Sequence, residues 1–451
     1  MQSGTIVLFL DIMLLLYIVF STVYNLKFIR KNKIIPTSFI LFWVLCTSHA
    51  LSIYLGRISF EGVEKFHIGS TLSVRGESSQ PWVFLVYRII IFVVLVLLNC
   101  FGTNKKKVQS FKNDINRRLI TTGGFGRIIV ISWVLLLLAP LCVLLSPDPI
   151  KYFMSYGTAT SRALTSTHPD AFFRRHEIIS LICLWGICIF SLVCWFETRK
   201  TRAFFSPRVI FGLVIVGLLT FIEGKRNSVF LVFYIIILIA YYETRVVMPF
   251  YILLIVILVV FIVIYPYFGK TDVTVSYEYS QNTFFRDNIT LPCIVNSHLS
   301  YNDIMGRGKG ALFIATIFVP RKFYPDKPYS SPHYVTRYLL GKDMNPEDDL
   351  VGWGYGVGFI EEGLVNFGYL GALAYTFLII FFCRCADYSM IRYGTIMCLL
   401  QGLLVYSCLF SLHIVLKLFL LSGLPLLLIM KFTYKTEQHD KFFHKLIEKI
   451  K

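Results

Sequence analysis

The residues of this chain best suited to chemistry are arginines and lysines that alternate with prolines and tyrosines. They are densest in the segment 319–339, VPRKFYPDKPYSSPHYVTRYL. An arginine guanidinium binds a phosphate through two parallel hydrogen bonds, and the flat face of a tyrosine ring packs well on a sugar. Proline restricts the backbone that presents these side chains. The pattern favours binding of an anionic, sugar-containing molecule over the alternative, a membrane-surface loop whose tyrosines belong to an aromatic belt.

Two adjacent acids, Glu361 and Glu362, follow the glycine run GWGYGVG (352–358). They stand at the top of an apolar block, where an acid is costly unless it has a partner or a task. One of them is therefore a candidate active-site base or arginine partner. His333, inside the basic and aromatic segment, is the second candidate for the base. The glycine run lacks the preceding strand of a dinucleotide-binding loop and is interpreted as a flexible entry into the helix.

The sequence predicts neither a metal site nor a cofactor. HEIIS (176–180) ends in serine, so it is not the zinc-binding HExxH motif. The acidic turn 343–349 lacks the glycine and ligand spacing of a calcium loop. The 11 cysteines contain no CxxC pair, and all but Cys293 lie in or beside apolar blocks, where cysteine behaves as a small hydrophobic residue.

These residues must be positioned by membrane helices. Of the 451 residues 56% are apolar and only 16% are charged, which excludes an ordinary soluble protein. The apolar residues form blocks of about 18 or more, enough to cross a bilayer of about 30 Å as helices. We therefore predict one all-α polytopic membrane domain, 1–451, of about eleven spans. The predicted spans are 4–24, 34–55, 81–101, 127–146, 177–196, 207–222, 228–242, 247–267, 358–382, 394–414 and 416–430.

Basic residues indicate which ends of the spans are cytoplasmic. Lysines and arginines follow the first, third and fifth spans, so the positive-inside rule places those loops inside the cell. The N-terminus is then outside, and the tail 431–451 is inside. No basic residue precedes the first apolar block, so we expect a retained helix and not a signal peptide. The tail has an apolar face between lysines, which fits an interfacial amphipathic helix as well as a solvated tail.

One outward loop, 268–357, departs from the charge rule. It carries nine basic residues, and further arginines stand at other outward ends, among them Arg175 and, in the tight turn 223–227, Arg226. The loop also contains an apolar stretch, Ala311 to Val319, that is too short to span and predicts a re-entrant or interfacial helix. The positive charge indicates an anionic partner at the outer membrane face, either lipid-linked phosphate or an acidic glycan.

Three motifs, taken in order, resemble the O-antigen or oligosaccharide repeat-unit polymerases, the Wzy-type family. The first is the turn GKRN (224–227), similar to the arginine-bearing turn of these enzymes. The second is FVPRKFYPDKPYS (318–330), similar to their proline-rich periplasmic segment. The third is EGLVNFGYLGAL (362–373), similar to a family motif in which alanine and an aromatic residue follow the glutamate. Here those two positions are Gly363 and Leu364, so the role of Glu362 is carried over less directly.

The resemblance implies a GT-C-like, metal-independent glycosyltransferase of the bacterial inner membrane. Such an enzyme transfers a growing chain from undecaprenyl diphosphate to a hydroxyl of a new lipid-linked repeat unit, as in lipopolysaccharide and related polysaccharide biosynthesis. A chain-length regulator is the protein partner it implies, and nucleic acid is not expected. Glu362 or His333 would act as base, and Tyr324 and Tyr329 would contact sugar. The diphosphate would be bound by basic residues, namely Arg226, Arg286, Arg321, Lys327 and, as a weaker choice, Arg175.

Two other functions fit much of the same sequence. An O-antigen ligase shares the fold and the donor but transfers to a lipid A-core sugar. A flippase or transporter for the lipid-linked oligosaccharide would show internal repeats, short loops and charges inside its spans. Here the charge is gathered in one outward loop, which favours the polymerase.

Overall fold

A computed structural model of the chain describes residues 2–32, 34–46, 81–104, 125–145, 148–150, 176–201, 206–224, 226–244, 294–295, 308–316, 319, 323–332, 334–335, 357–408, 415–416 and 418–428. About 90% of the structure is helical, and the described residues include no strand. The helices, numbered in chain order, are α1 (Gln2–Asn32), α2 (Thr37–Leu45), α3 (Pro81–Phe101), α4 (Phe125–Leu141), α5 (His176–Thr201), α6 (Pro207–Glu223), α7 (Arg226–Thr244), α8 (Lys309–Ala315), α9 (Phe359–Tyr393), α10 (Cys398–Cys408) and α11 (Phe419–Leu428).

Several helices are long and apolar enough to cross a membrane. Within the described part of the chain these are Phe9–Asn32, Ile128–Leu145, Ile178–Thr201 and Phe359–Tyr393. A helix of 24 residues reaches about 36 Å, more than the hydrocarbon thickness. The protein is thus an all-α membrane protein, as expected. A described helix overlaps each predicted span except 247–267, which lies outside the described residues. The count of eleven spans stays a prediction.

Local sequence explains where α6 begins and where it ends. The Ser206 hydroxyl caps α6 by accepting a hydrogen bond from the Val209 backbone N–H at 3.3 Å, and Pro207 occupies the first helical position. Gly224 ends the helix in the left-handed conformation (φ 69°), which glycine adopts without steric cost. α7 then begins at Arg226. The tight turn predicted at 223–227 is confirmed.

The helices divide into two compact units along the chain. The first comprises residues 1–109, 275–387 and 404–418, and the second comprises 110–274, 388–403 and 419–451. In the first unit α1 and α2 pack against α3. Their contact buries large apolar side chains, including Phe42, Leu95 and Leu98. Because lipid tails are as apolar as these side chains, close van der Waals packing, together with interhelical hydrogen bonds, is what stabilises the contact between the three helices.

Polar side chains connect α1 to α3 inside this unit. Arg88 of α3 forms an ion pair with Asp11 of α1, and its Nη2 lies 3.2 Å from Asp11 Oδ2. Further along, Asn25 Nδ2 donates to Asn99 Oδ1 at 2.8 Å. The contact with Arg88 places Asp11 on the face of α1 that meets α3. Paired in this way, the two charges avoid most of the cost of an isolated ion at membrane depth.

A second polar contact fixes the start of α2 on α9. Asp387 Oδ1 accepts hydrogen bonds from the Thr37 backbone N–H (2.9 Å) and hydroxyl (2.6 Å). The acceptor stands at the N-terminus of α2, where backbone N–H groups lack helical partners and a negative charge is favourable. Next to it, a Cβ on Gly102 would lie only 2.1 Å from Ser38 Cβ, so the end of α3 approaches α2 closely enough to require glycine.

The second unit is built around α5, which packs against α4, α6 and α7. Val193 of α5 and Val216 of α6 are completely buried there. Near its end, the Trp195 indole N–H donates to Glu243 Oε1 of α7 at 2.9 Å, and the Thr395 hydroxyl donates to the same oxygen. A half-buried carboxylate between apolar helices is thereby satisfied by two donors.

A buried polar cluster at the start of α9

Glu362 lies in the first turn of α9 and is completely buried, with 0% of its surface exposed. Its Oε1 accepts a hydrogen bond from the Ser331 hydroxyl at 3.1 Å. Ser331 is also completely buried and directly follows the predicted proline-rich motif, 318–330. The glutamate and the large outward loop, separated by 31 residues in sequence, therefore meet at one carboxylate oxygen. A carboxylate that accepts from a serine hydroxyl is equally able to accept from a sugar hydroxyl.

Asn366, one helical turn after Glu362, joins three segments. Its Nδ2 donates to the Glu362 carbonyl at 2.8 Å and to Ser331 Oγ at 3.3 Å. Its Oδ1 accepts from the Ala311 backbone N–H at 3.0 Å, and its own carbonyl accepts from the Gly308 N–H at 3.0 Å. The Asn366 side chain also interacts with Tyr375, whose ring lies within electrostatic range of Glu362.

Helix α8 is pressed against this cluster through a glycine. A Cβ on Gly310 would lie 2.0 Å from Ser331 Oγ and 2.8 Å from Asn366 Oδ1. No side chain fits there without moving a buried polar atom. A short helix is present where a re-entrant or interfacial helix was expected at Ala311–Val319, but α8 begins earlier and ends at Ala315. Its placement relative to the membrane stays a prediction.

α9 is two helices joined by a break. Phe367 (φ −141°, ψ 17°) and Gly368 (φ 66°, ψ −151°) have non-helical backbones, and the Gly368 conformation is accessible almost only to glycine. In a straight helix residues eight apart are separated by about 12 Å. Here a Cβ on Gly363 would lie 2.6 Å from the Gly371 carbonyl oxygen, so the two parts fold back on each other. The prediction of one continuous span at 358–382 is wrong at this point. Residues 366–368 (NFG) are compatible with a continuous helix, so the local sequence did not indicate the break.

After the break, α9 still has the length of a membrane span. Its second part, 369–393, has 25 residues and reaches about 37 Å. The first part, 359–366, carries Glu362 and Asn366 and packs with the loop. The break thus separates the segment that bears the polar cluster from a segment long and apolar enough to cross the membrane.

Lys327 is used to fold the loop. The residue is only 8% exposed, and its Nζ donates to the Val319 carbonyl at 2.9 Å. The ammonium also lies 5.2 Å from the centroid of the Phe313 ring of α8, a cation–π distance. These contacts hold the proline-rich segment on α8. The role of Lys327 in diphosphate binding remains a prediction. A bound diphosphate would have to share the ammonium group with the Val319 carbonyl and the Phe313 ring.

The two tyrosines chosen as sugar contacts are half-buried. The Tyr324 carbonyl accepts from the Lys327 N–H at 3.1 Å in a turn, and the Tyr329 N–H donates to the Tyr334 hydroxyl at 3.1 Å. Both residues lie within the segment that the Ser331 contact attaches to α9. Their rings keep part of their surface exposed, as ring stacking on a sugar requires.

The side chains of the remaining predicted site residues lie outside the described part of the structure. Arg226 is the first residue of α7, in the second unit, and its side chain lies outside the described part of the structure. The other predicted residues outside the described part are Arg175, Arg286, Arg321 and His333. Among the described residues no group of three or more His, Cys, Asp or Glu side chains is arranged to hold a metal ion.

Sequence reasoning missed Ser331 and Asn366, which make the cluster. Asn366 stands four residues after Glu362, the spacing of neighbours on a helix face, so the motif contained a usable signal. Ser331 offered none, because its partner is set by the path of the loop. The comparisons with known proteins find no family model, no curated protein and no solved structure that matches this chain.

Proposed function

We propose that this chain is a membrane-embedded glycosyltransferase that polymerises undecaprenyl-diphosphate-linked oligosaccharide repeat units. The observation that carries the proposal is the buried contact between Ser331 and Glu362. It brings together two of the motif segments that resemble the repeat-unit polymerases, the proline-rich loop and the start of α9. Their meeting in space supports a common site more strongly than either short motif does alone.

The reaction forms one glycosidic bond and breaks one bond to phosphate. An acceptor hydroxyl oxygen bonds to the anomeric carbon of the donor sugar, while the bond from that carbon to the diphosphate breaks. The electron pair leaves with undecaprenyl diphosphate, and the hydroxyl proton passes to a base. Glu362 is that base in the proposal, with the acceptor hydroxyl taking the place of the Ser331 hydroxyl when the loop moves aside.

The leaving diphosphate gains negative charge, which fixed cations stabilise. The proposed cations are the arginines of the outward segments, together with Lys327. Tyr324 and Tyr329 supply flat faces for the sugar, on the same loop segment as Ser331. The proposal places the reaction at the outer face of the bacterial inner membrane.

The test uses purified protein and lipid-linked repeat units, with the products resolved as a ladder on a gel. Glu362→Gln is the informative variant, because glutamine keeps an oxygen to accept from Ser331 but does not accept a proton. We expect the rate to fall by about 10²–10⁴-fold, the usual contribution of a general base. A normal ladder from Glu362→Gln would remove Glu362 as base, and no ladder from the unaltered protein would contradict the proposed function.

Cell phenotypes separate the polymerase from an O-antigen ligase. Loss of a polymerase leaves surface lipid capped with single repeats, whereas loss of a ligase leaves polymer attached to its lipid carrier. We expect single-repeat caps on deletion of this chain, with full polymer restored by the unaltered gene.

A transporter of the same lipid-linked oligosaccharide is the second candidate, favoured by one observation. Asp11 and Arg88 place charges within apolar helices, as transporters often do. Reconstitution in vesicles separates the two activities. A transporter moves the lipid-linked unit across the bilayer without lengthening it, and we expect lengthening.

A further inference from the structure

We infer that Asn366 is the positioning residue of the proposed site, holding the substrate-binding loop and α8 on the first part of α9. The inference rests on the proposed function. The Asn366 amide is buried, and both its oxygen and its nitrogen are hydrogen-bonded to protein partners, so it acts through those partners and not by touching substrate. Those partners belong to segments that are distant in sequence: Ala311 in α8, Ser331 in the loop and Glu362 in α9.

The orientation of the Asn366 amide is determined by its partners. The Ala311 N–H only donates, so it must face the amide oxygen, at 3.0 Å. The Glu362 carbonyl only accepts, so it must face the amide nitrogen, at 2.8 Å. The second hydrogen on that nitrogen is directed at Ser331 Oγ. Both donors and one acceptor site are therefore used in one fixed arrangement.

This arrangement also sets the direction of the Glu362 carboxylate. The Ser331 hydroxyl accepts from Asn366 and therefore has its own hydrogen free to donate to Glu362 Oε1. The hydroxyl occupies the space that a side chain at position 310 would take, since a Cβ on Gly310 would lie 2.0 Å from Ser331 Oγ. The chain of contacts runs from Asn366 through Ser331 to the carboxylate. It also holds the loop segment that bears Lys327 and the two tyrosines, because that segment directly precedes Ser331.

Asparagine is required at this position because aspartate has the same shape but lacks the donors. Asn366→Asp places a carboxylate oxygen against the Glu362 carbonyl, where an N–H stood at 2.8 Å. Two acceptors repel at that distance, so the loop loses its attachment without any change in side-chain volume.

The chain contains a matched control in the same unit. Asn25 is buried, and its Nδ2 donates to the Ser21 carbonyl four residues earlier, also at 2.8 Å. It makes the same helical contact as Asn366, together with one interhelical bond to Asn99. Asn25→Asp therefore introduces the same repulsion between two acceptors, but away from the proposed site. A loss of activity caused only by lower stability would appear in both Asn25→Asp and Asn366→Asp.

The experiment compares Asn366→Asp, Asn366→Ala and Asn25→Asp as purified, folded proteins supplied with lipid-linked repeat units. Initial rates over a range of concentrations give kcat and KM, and hydrogen–deuterium exchange reports on peptides covering 308–316 and 323–332. For both Asn366 variants we expect kcat/KM to fall by about 100-fold, as for a misplaced catalytic group, with faster exchange in both peptides. For Asn25→Asp we expect kcat/KM within about threefold of the unaltered protein, as for a change outside the site.

Normal kcat/KM in the Asn366 variants, with an active unaltered protein, would overturn the inference and leave the proposed function standing. An equal loss in Asn25→Asp and Asn366→Asp would also overturn it, because the effect would then be one of general stability. An unaltered protein that makes no ladder would overturn the proposed function, and the inference with it.

Discussion

At the scale of single residues, Gly310 shows how tightly the candidate site is packed. Its missing side chain leaves room for the Ser331 hydroxyl and the Asn366 amide. Both are buried polar groups that already have partners, so neither is displaced cheaply. A glycine in a seven-residue helix is thus explained by close approach.

We expect Gly310→Ala to lower the free energy of unfolding by about 1–3 kcal/mol, the usual cost of overpacking. Gly217 in α6 is the control, because nothing lies within 4 Å of a Cβ at that position. There, alanine is expected to be neutral or to stabilise by up to about 1 kcal/mol. Denaturant titration of the detergent-solubilised variants measures both, and equal effects at the two glycines would contradict the explanation.

The ion pair between Asp11 and Arg88 gives a second prediction at this scale. Arg88 is 8% exposed and Asp11 13% exposed in side-chain surface, so removing one leaves the other largely without solvent. We expect Asp11→Ala to destabilise the protein by about 3–5 kcal/mol. The double variant Asp11→Ala, Arg88→Met should recover much of that loss, since it removes both charges.

Thermal unfolding in detergent tests the pair. Asp11→Ala, Arg88→Met and the double variant are compared. If the double variant loses as much stability as the two single variants added together, the residues act independently and the pair contributes little. Lys27, an exposed residue of α1, supplies a surface control whose alanine variant should change stability by less than about 0.5 kcal/mol.

At the scale of elements, the break in α9 decides the geometry of the site. Phe367 and Gly368 interrupt the helix directly after Asn366, and Gly363 then contacts Gly371 across the bend. The resemblance to the repeat-unit polymerases leads one to expect alanine where this chain has Gly363. The structure gives the physical reason for glycine, because a Cβ would meet backbone atoms of Gly371 and Ala372 within 2.8 Å.

Gly363→Ala is expected to push the two parts of α9 apart and to destabilise the protein by about 1–3 kcal/mol. Gly186 in α5 is the matched control, since a Cβ there would also be close, at 2.5 Å, but to the end of the flexible Leu219 side chain. A rotamer change relieves that contact at a cost of about 1 kcal/mol or less. Similar melting temperatures for the two variants would contradict a backbone contact at Gly363.

At the scale of the whole molecule, the distribution of basic residues predicts the topology. The basic C-terminal ends of α1 and α5 are expected inside the cell, with the loop that carries Phe323 outside. Phe323 is 77% exposed, so a reporter joined at that position should not disturb a buried contact.

We expect alkaline phosphatase to be active when fused after Phe323 and inactive when fused after Lys451. Green fluorescent protein fused after Lys451 should fluoresce, because it folds on the cytoplasmic side. Activity of alkaline phosphatase at both positions would contradict the odd number of spans predicted between them, which are 358–382, 394–414 and 416–430.

Much of the fold was predictable, because a membrane helix is specified by local composition. α1, α3 and α5 coincide with apolar blocks, since lipid accepts only segments that satisfy their own backbone hydrogen bonds. Glu362 was also recognisable as an acid at membrane depth. The break at Gly368 was not predicted, since a single glycine in an apolar block is compatible with a continuous helix.

The sequence by itself determined the class of the protein and the position of most helices, and it indicated the segment around Glu362 as a candidate site, because these depend on hydropathy and charge along the chain. Only the tertiary structure decided the partners: Ser331 for Glu362, Asp387 for Thr37 and Arg88 for Asp11. These pairs are 31, 350 and 77 residues apart. Their contacts depend on how helices pack and how loops return to them, and no local pattern encodes those distances.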